Sequence, residues 1–179
     1  ELHSWNTLNI NTIGTLNLIN NLPDKSKLIL TSTCKSANPE VVYGASKLIA
    51  ERMVLNAGGS VSRFFNVVET SGNVFTIWDQ IDESLPIDLA PTRERYFISL
   101  DEAIGLLIFT LNHEPGRFLV NTVNITNMGD LANRLYPTRK KNIIEPRRGD
   151  RLSEKFTATS ESVERYYLNN SIVKVKSIH

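Results

Sequence analysis

The chain of 179 residues is 41% hydrophobic and 22% charged, which excludes a disordered polymer and allows a buried core. Twenty basic against nineteen acidic side chains leave a formal charge of +1, so no global field draws the protein to nucleic acid or anionic lipid, and a small or local partner is expected. One cysteine, Cys34, and three scattered histidines, His3, His113 and His179, exclude an internal disulfide framework, offer no metal-ligand spacing and fit a reducing, cytoplasmic compartment.

Trp5, Leu8, Ile13, Leu16 and Ile19 recur at near-helical spacing between Trp5 and Asn21, and Leu22-Pro23-Asp24 stops the pattern, so a helix is expected first. The first twenty residues lack the basic-then-apolar order of a secretory leader, and no apolar run reaches the ~18 residues that span a bilayer, so no membrane segment is expected. Lys27 to Thr31 is a short apolar run of strand length that ends in the hydroxyl pair Ser32-Thr33, the way a buried parallel strand delivers polar groups to its carboxyl edge. Beyond the loop containing Asn38-Pro39, Val41 to Leu55 is rich in helix formers and is closed by Gly58-Gly59; Ser60 to Val68 reads as the next strand.

Helix, strand, helix and strand joined by short connections predict an α/β layer fold with a parallel sheet. A short helix is expected over Val74 to Ile81. Ser99-Leu100-Asp101-Glu102 has the serine and glutamate of a capping box before an apolar helix over Ala103 to Leu111. A strand over Arg117 to Val123, a helix over Met128 to Tyr136 halted by Pro137, a brief strand over Asn142 to Glu145 and a helix over Ser160 to Tyr167 complete the expected elements. No G-x-G-x-x-G follows an N-terminal strand, so the phosphate-cradling half of a dinucleotide site is expected to be absent from this segment.

Chemistry concentrates between Thr31 and Glu51, in TSTCKSANPEVVYGASKLIAE. Tyr43 and Lys47 form Y-x-x-x-K, an i,i+4 pair that a helix stacks on one face, where the ammonium can lower the phenol's pKa. Such a pair alone is common on solvated helix faces. Here it follows a hydroxyl-ended strand by one loop, and Gly44 permits close backbone approach. With Thr33 the set becomes a hydroxyl, tyrosine and lysine triad that removes a proton while hydride leaves for a nicotinamide.

The segment resembles the active-site stretch of extended short-chain dehydrogenases, and most of all the polysaccharide-biosynthesis subgroup that includes the UDP-N-acetylglucosamine 4,6-dehydratases. Asn11-Thr12-Ile13-Gly14-Thr15-Leu16-Asn17 is similar to N-x-x-G-T-x-N, Arg63-Phe64-Phe65-Asn66-Val67 to R-F-G-N-V, and Ser71-Gly72-Asn73-Val74 to S-x-G-S-V. Arg95-Tyr96-Phe97-Ile98 resembles the strand before the capped helix, and Arg147-Arg148-Gly149-Asp150-Arg151-Leu152 resembles R-P-G-E-K-L.

The resemblance implies the C-terminal part of a doubly wound, Rossmann-like parallel sheet over 1–68. It further implies a smaller α/β substrate-binding subdomain over most of 69–179, with 90–112 packing back on the sheet. It implies NAD or NADP as cofactor, a UDP-amino sugar as ligand, a homo-oligomer, and transient oxidation at C4 of the sugar in surface polysaccharide synthesis. Tyr43 would be the base, Lys47 would tune it and hold the nicotinamide ribose, Thr33 would bind the 4-oxygen and Lys35 would remove the C5 proton. Ser32 would stand with Tyr43 and Lys47 at the cofactor, and Asn66, Arg95, Arg147 and Asp150 would bind the nucleotide sugar. Two departures matter: Cys34 replaces the aspartate that helps expel the 6-hydroxyl, and Phe65 replaces a glycine. A thiol is a weaker hydrogen-bond former than a carboxyl group and a weaker acid, so 4-epimerisation, or a non-catalytic nucleotide-sugar-binding or subunit-pairing module, stands beside dehydration.

Overall fold

A computed structural model describes residues 3–121, 125–146 and 151–178, and of Ser26 the backbone alone. In chain order run α1 (Ser4–Leu8), α2 (Gly14–Asn21), β1 (Ile29–Thr33), α3 (Val42–Asn56), β2 (Ser60–Phe64), β3 (Asn66–Val67), α4 (Val74–Gln80) and β4 (Ile87–Leu89). There follow β5 (Glu94–Ile98), α5 (Leu100–Leu111), β6 (Arg117–Val120), β7 (Ile125–Asn127), α6 (Met128–Leu135), β8 (Lys141–Ile143), β9 (Glu161–Tyr167) and β10 (Ile172–Ser177). One π-helical stretch, Asn9–Ile13, joins α1 to α2, so the first expected helix runs on without an interruption.

The chain divides into two compact units. The first takes Glu1–Phe64, Asp101–Asn121 and Lys155–His179. Its five-stranded sheet has the order β1-β2-β6-β10-β9; β1, β2 and β6 are parallel, and the β9–β10 hairpin adds antiparallel strands. Val54 of α3, Val61 of β2, Leu106 of α5, Phe118 and Leu119 of β6 and Val173 of β10 are all at most 1% exposed and form its core. The Phe109 ring of α5 meets that of Phe118 edge-on at 5.5 Å, and Ser62 of β2 donates to Thr110 of α5 at 2.9 Å. Helix α3 ends near the expected glycines, with Gly58 at φ +86°, a conformation that disfavours side chains.

The second unit takes Phe65–Leu100 and Thr122–Glu154. It holds a three-stranded sheet, β3-β5-β7, and the parallel pair β4-β8. Trp78, Ile87, Leu89, Met128, Leu131 and Ala132 make its core. Arg139 donates to the carbonyls of Trp78, Ile81 and Asp82 at 3.0, 2.6 and 2.7 Å, satisfying acceptors that the end of α4 leaves open.

Three expectations are corrected. Residues 161–167 form strand β9, since β10 supplies a partner with Ile172 opposite Tyr167, and at a sheet edge, with only one neighbour, the strand carries charges without the alternation that marks half-buried strands. The run 60–68 is broken at Phe65 into β2 and β3, which belong to different sheets. Residues 155–179 pack with the first unit: β6 pairs in parallel with β2 (Val61 opposite Arg117) and takes β10 on its other side.

Candidate active site

Strand β1 ends at Thr33, and a single 3-10 turn, Cys34–Ser36, carries the chain away from the carboxyl edge of the parallel strands. The Thr33 hydroxyl caps this turn, accepting from the backbone N–H of Lys35 at 3.3 Å. Helix α3 begins one loop later, with Tyr43 in its first turn and Lys47 one turn further along the same face. Gly44 lets the two segments approach: a Cβ there would run into the carbonyl oxygen of Lys35 and lie 3.1 Å from the Pro39 side chain. The close approach expected of this glycine is therefore present.

Thr33 stands beside Tyr43, and Lys47 lies one turn further along α3. Tyr43 is 38% exposed, and its phenol is hydrogen-bonded to the Thr33 side chain. Burial pushes the phenol's pKa up, the neighbouring Cys34 adds to this, and the Thr33 bond pulls the other way. The net direction is upward, the reverse of the tuning expected from the sequence. Lys47 directs Nζ to the carbonyl oxygen of Thr31 at 3.1 Å. Burial lowers the pKa of its ammonium, and the charge of Glu51 partly restores it. In the protein alone Tyr43 therefore holds its proton at neutral pH.

Ser32 turns inward. It is 5% exposed and its hydroxyl donates to Glu51 Oε1 at 2.5 Å. The side chain of Lys35 is exposed. Cys34 is 3% exposed.

Asn66 and Arg95 belong to the second unit. The Asn66 amide donates to the carbonyl of Tyr96 at 2.9 Å and to both oxygens of Glu154. Arg95 donates from Nη1 to the carbonyls of Glu94 and Arg151 at 2.7 and 3.1 Å and places Nε 3.8 Å from Glu154. Much of the polar capacity expected to meet substrate is thus bound within the fold. Phe65 is 5% exposed and packs against Tyr96 with ring centroids 4.9 Å apart. Arg147 and Asp150 lie outside the described residues.

Sequence reasoning missed a buried network of four charges. Glu51, Arg63, Arg117 and Glu161 have side chains at most 1% exposed and are joined by four ion pairs of 2.6 to 2.8 Å. An arginine inside the apolar run 61–65 was the available signal; Glu161, in a polar stretch, had none. Glu154, also buried, was missed for the same reason. Among the described residues no group of three or more His, Cys, Asp or Glu could hold a metal ion, and no helix is long and apolar enough to cross a membrane.

A parallel α/β sheet of the Rossmann type, with hydroxyl, tyrosine and lysine at the carboxyl end of a strand, defines an extended short-chain dehydrogenase segment. The chain belongs to the family described as polysaccharide biosynthesis protein, which matches residues 1–176. An uncharacterized membrane protein of Methanocaldococcus jannaschii is 35% identical over 60% of this chain and 36% of its own length. A UDP-N-acetylglucosamine 4,6-dehydratase (inverting) of Campylobacter jejuni is 26% identical over 83% of this chain and 50% of its own. The chain thus spans half or less of the length of these curated relatives. Among solved structures, Pen from Bacillus thuringiensis superposes with a TM-score of 0.84 at 24% identity, covering 99% of this chain and 61% of that one. A UDP-glucuronic acid 4-epimerase from Bacillus cereus, solved with a UDP-sugar and NAD, has a TM-score of 0.67 at 15% identity over 83% of this chain and 58% of its own. These two structures share the fold.

Proposed function

We propose that the full-length protein modifies a UDP-amino sugar by transient oxidation at C4 with NAD or NADP, as a UDP-N-acetylglucosamine 4,6-dehydratase does, in surface polysaccharide synthesis. The observation that carries this reading is Thr33 beside the Tyr43 phenol at the carboxyl end of β1, with Lys47 one turn further along α3 and bonded to the Thr31 carbonyl. The donor set suits a nicotinamide ribose: an ammonium has three donors, and Lys47 gives one to Thr31, leaving others for ribose hydroxyls. The cofactor, when bound, supplies the hydride acceptor. Tyr43, as phenolate, takes the proton of the 4-hydroxyl, and Thr33 orients the 4-oxygen. Burial and Cys34 push against that phenolate, and the bond from Thr33 favours it.

Dehydration requires Lys35 to take the C5 proton and an acid to release the 6-hydroxyl as water. Arg147 and Asp150 would clamp the nucleotide, a guanidinium on the diphosphate and a carboxylate on the ribose. The buried thiol of Cys34 beside Tyr43 favours a second reading, 4-epimerisation, which needs the triad and the cofactor but no acid at C6.

The test is NMR of the sugar at C4, C5 and C6 after incubating the full-length protein with UDP-N-acetylglucosamine and NAD or NADP, with Tyr43→Phe as control. Loss of the 6-hydroxyl in wild type alone establishes dehydration despite Cys34. A changed C4 configuration with the 6-hydroxyl retained establishes epimerisation. Saturable UDP-sugar binding without turnover, abolished by Arg147→Ala, would replace both readings with a binding module.

A further inference from the structure

The turn that carries Thr33 and Cys34 is held by a carboxylate that the proposed chemistry does not use. Ser32, in β1 just before Thr33, and Ser36, the last residue of the turn, both donate to Glu51 Oε1, at 2.5 and 2.6 Å. The Ser36 hydroxyl also lies 2.7 Å from the carbonyl oxygen of Thr33. Glu51 is itself fully buried, with Oε1 taking Arg63 Nε at 3.1 Å and Oε2 lying 2.6 Å from Arg63 Nη2 and 2.8 Å from Arg117 Nε. The same guanidiniums hold Glu161, the first residue of the C-terminal hairpin, at 2.7 to 2.9 Å. Glu161 Oε2 is fixed in turn by the backbone N–H of Ala158 at 3.0 Å.

Two carboxylates and two guanidiniums cancel in charge, yet such a buried set is often no more stable than apolar residues of the same volume. Stability alone is therefore a weak reason for it, whereas directional bonds define where each partner sits.

We infer that Glu51 is a positioning residue for the active-site turn, and that Glu161 acts through the shared arginines to make the C-terminal hairpin part of the support that holds the Thr33 hydroxyl at Tyr43. Turnover as a readout rests on the proposed function; the bond between Thr33 and Tyr43 does not. Because that bond lowers the phenol's pKa, a loosened turn releases Tyr43 upward.

The experiment labels tyrosine at 13Cζ in the full-length protein, assigns Tyr43 through Tyr43→Phe, and follows its titration by NMR in wild type, Ser36→Ala and Glu161→Gln. Val173→Ala, which truncates a fully buried core residue of the hairpin opposite Leu119, is the control for destabilisation. The Tyr43 midpoint is expected to rise by roughly half a unit in Ser36→Ala and Glu161→Gln and to stay at the wild-type value in Val173→Ala. Unchanged midpoints in folded Ser36→Ala overturn the role of Glu51. A shift in Ser36→Ala with none in Glu161→Gln overturns the part assigned to the hairpin, and equal shifts in all three reduce the network to a stabilising one. Should Glu161→Gln not fold, Glu161→Asp replaces it, with the same expected rise from its shortened reach. Where wild type turns over UDP-N-acetylglucosamine, kcat is expected to fall about tenfold in Ser36→Ala with KM little changed. A silent wild type would sink the sugar chemistry while the titration still decides the positioning.

Discussion

The side-chain amide of Asn66 donates to both carboxylate oxygens of Glu154, at 3.1 and 2.9 Å, across 88 residues of chain. The backbone N–H of Tyr96 adds a third bond to Glu154, at 3.0 Å. Glu154 thereby ties β3 and β5 to the segment beyond residue 150, and the Asn66 side chain in the R-F-x-N motif serves this tie whatever else it touches. Asn66→Asp keeps the shape and replaces two donors with a charge facing Glu154. The expected loss is about 1–3 kcal/mol of stability, since a part-buried hydrogen bond becomes like-charge repulsion. Chemical denaturation measures it, and Asn66→Asp as stable as wild type would show that the amide is not a structural donor.

Arg63→Met removes the cation shared by Glu51 and Glu161 and leaves two buried carboxylates with Arg117 alone. Breaking a buried ionic set in this way costs about 3–5 kcal/mol. The quadruple replacement of Glu51, Arg63, Arg117 and Glu161 by apolar residues of similar volume is expected to recover most of that loss. Thermal melting of both variants checks the pair of outcomes.

Acid sensitivity follows from Glu161. Its burial favours protonation, but the bonds from Arg63, the backbone N–H of Ala158 and the charge of Arg117 prevail and hold its carboxyl down to about 2. The folded pKa lies below the unfolded value of about 4.3, so this contribution is complete above about pH 5 and is lost as pH falls toward 2. Glu51 is shifted in the same direction: burial raises its carboxyl, but the charge and bonds of Arg63, the charge of Arg117 and the bond from Ser32 together hold it down, and it steepens the same limb. Melting temperatures across that range should fall in wild type and fall less steeply in Glu161→Gln.

Gly44→Ala tests the approach of α3 to the active-site turn. The added methyl meets the Lys35 carbonyl, which is backbone and cannot swing away. Stability is expected to drop by about 1–3 kcal/mol, and the Thr33 and Tyr43 resonances should shift in a 1H–15N spectrum. An unperturbed spectrum would mean that the helix start has room the structure does not show.

The local elements were legible in the sequence because their causes are local. Helix α3 follows from its helix formers and the glycines after it, β1 from an apolar run ending in hydroxyls, and the Tyr43–Lys47 pairing from helical spacing. The family was legible as well, since its motifs keep their order from Asn11 to Leu152. Partner choice was decided only by the tertiary structure. Glu161 looks like a solvated charge until β10 brings it to Arg63 and Arg117, and residues 161–167 become a strand because a hairpin partner exists. Ser32 reads as a polar group at a strand end until Glu51 draws it inward. The pKa of Tyr43 depends on burial and on Cys34 more than on the lysine one turn away. Spacing along a chain states which groups can share a face; desolvation and the bonds each group makes are properties of the packed molecule alone.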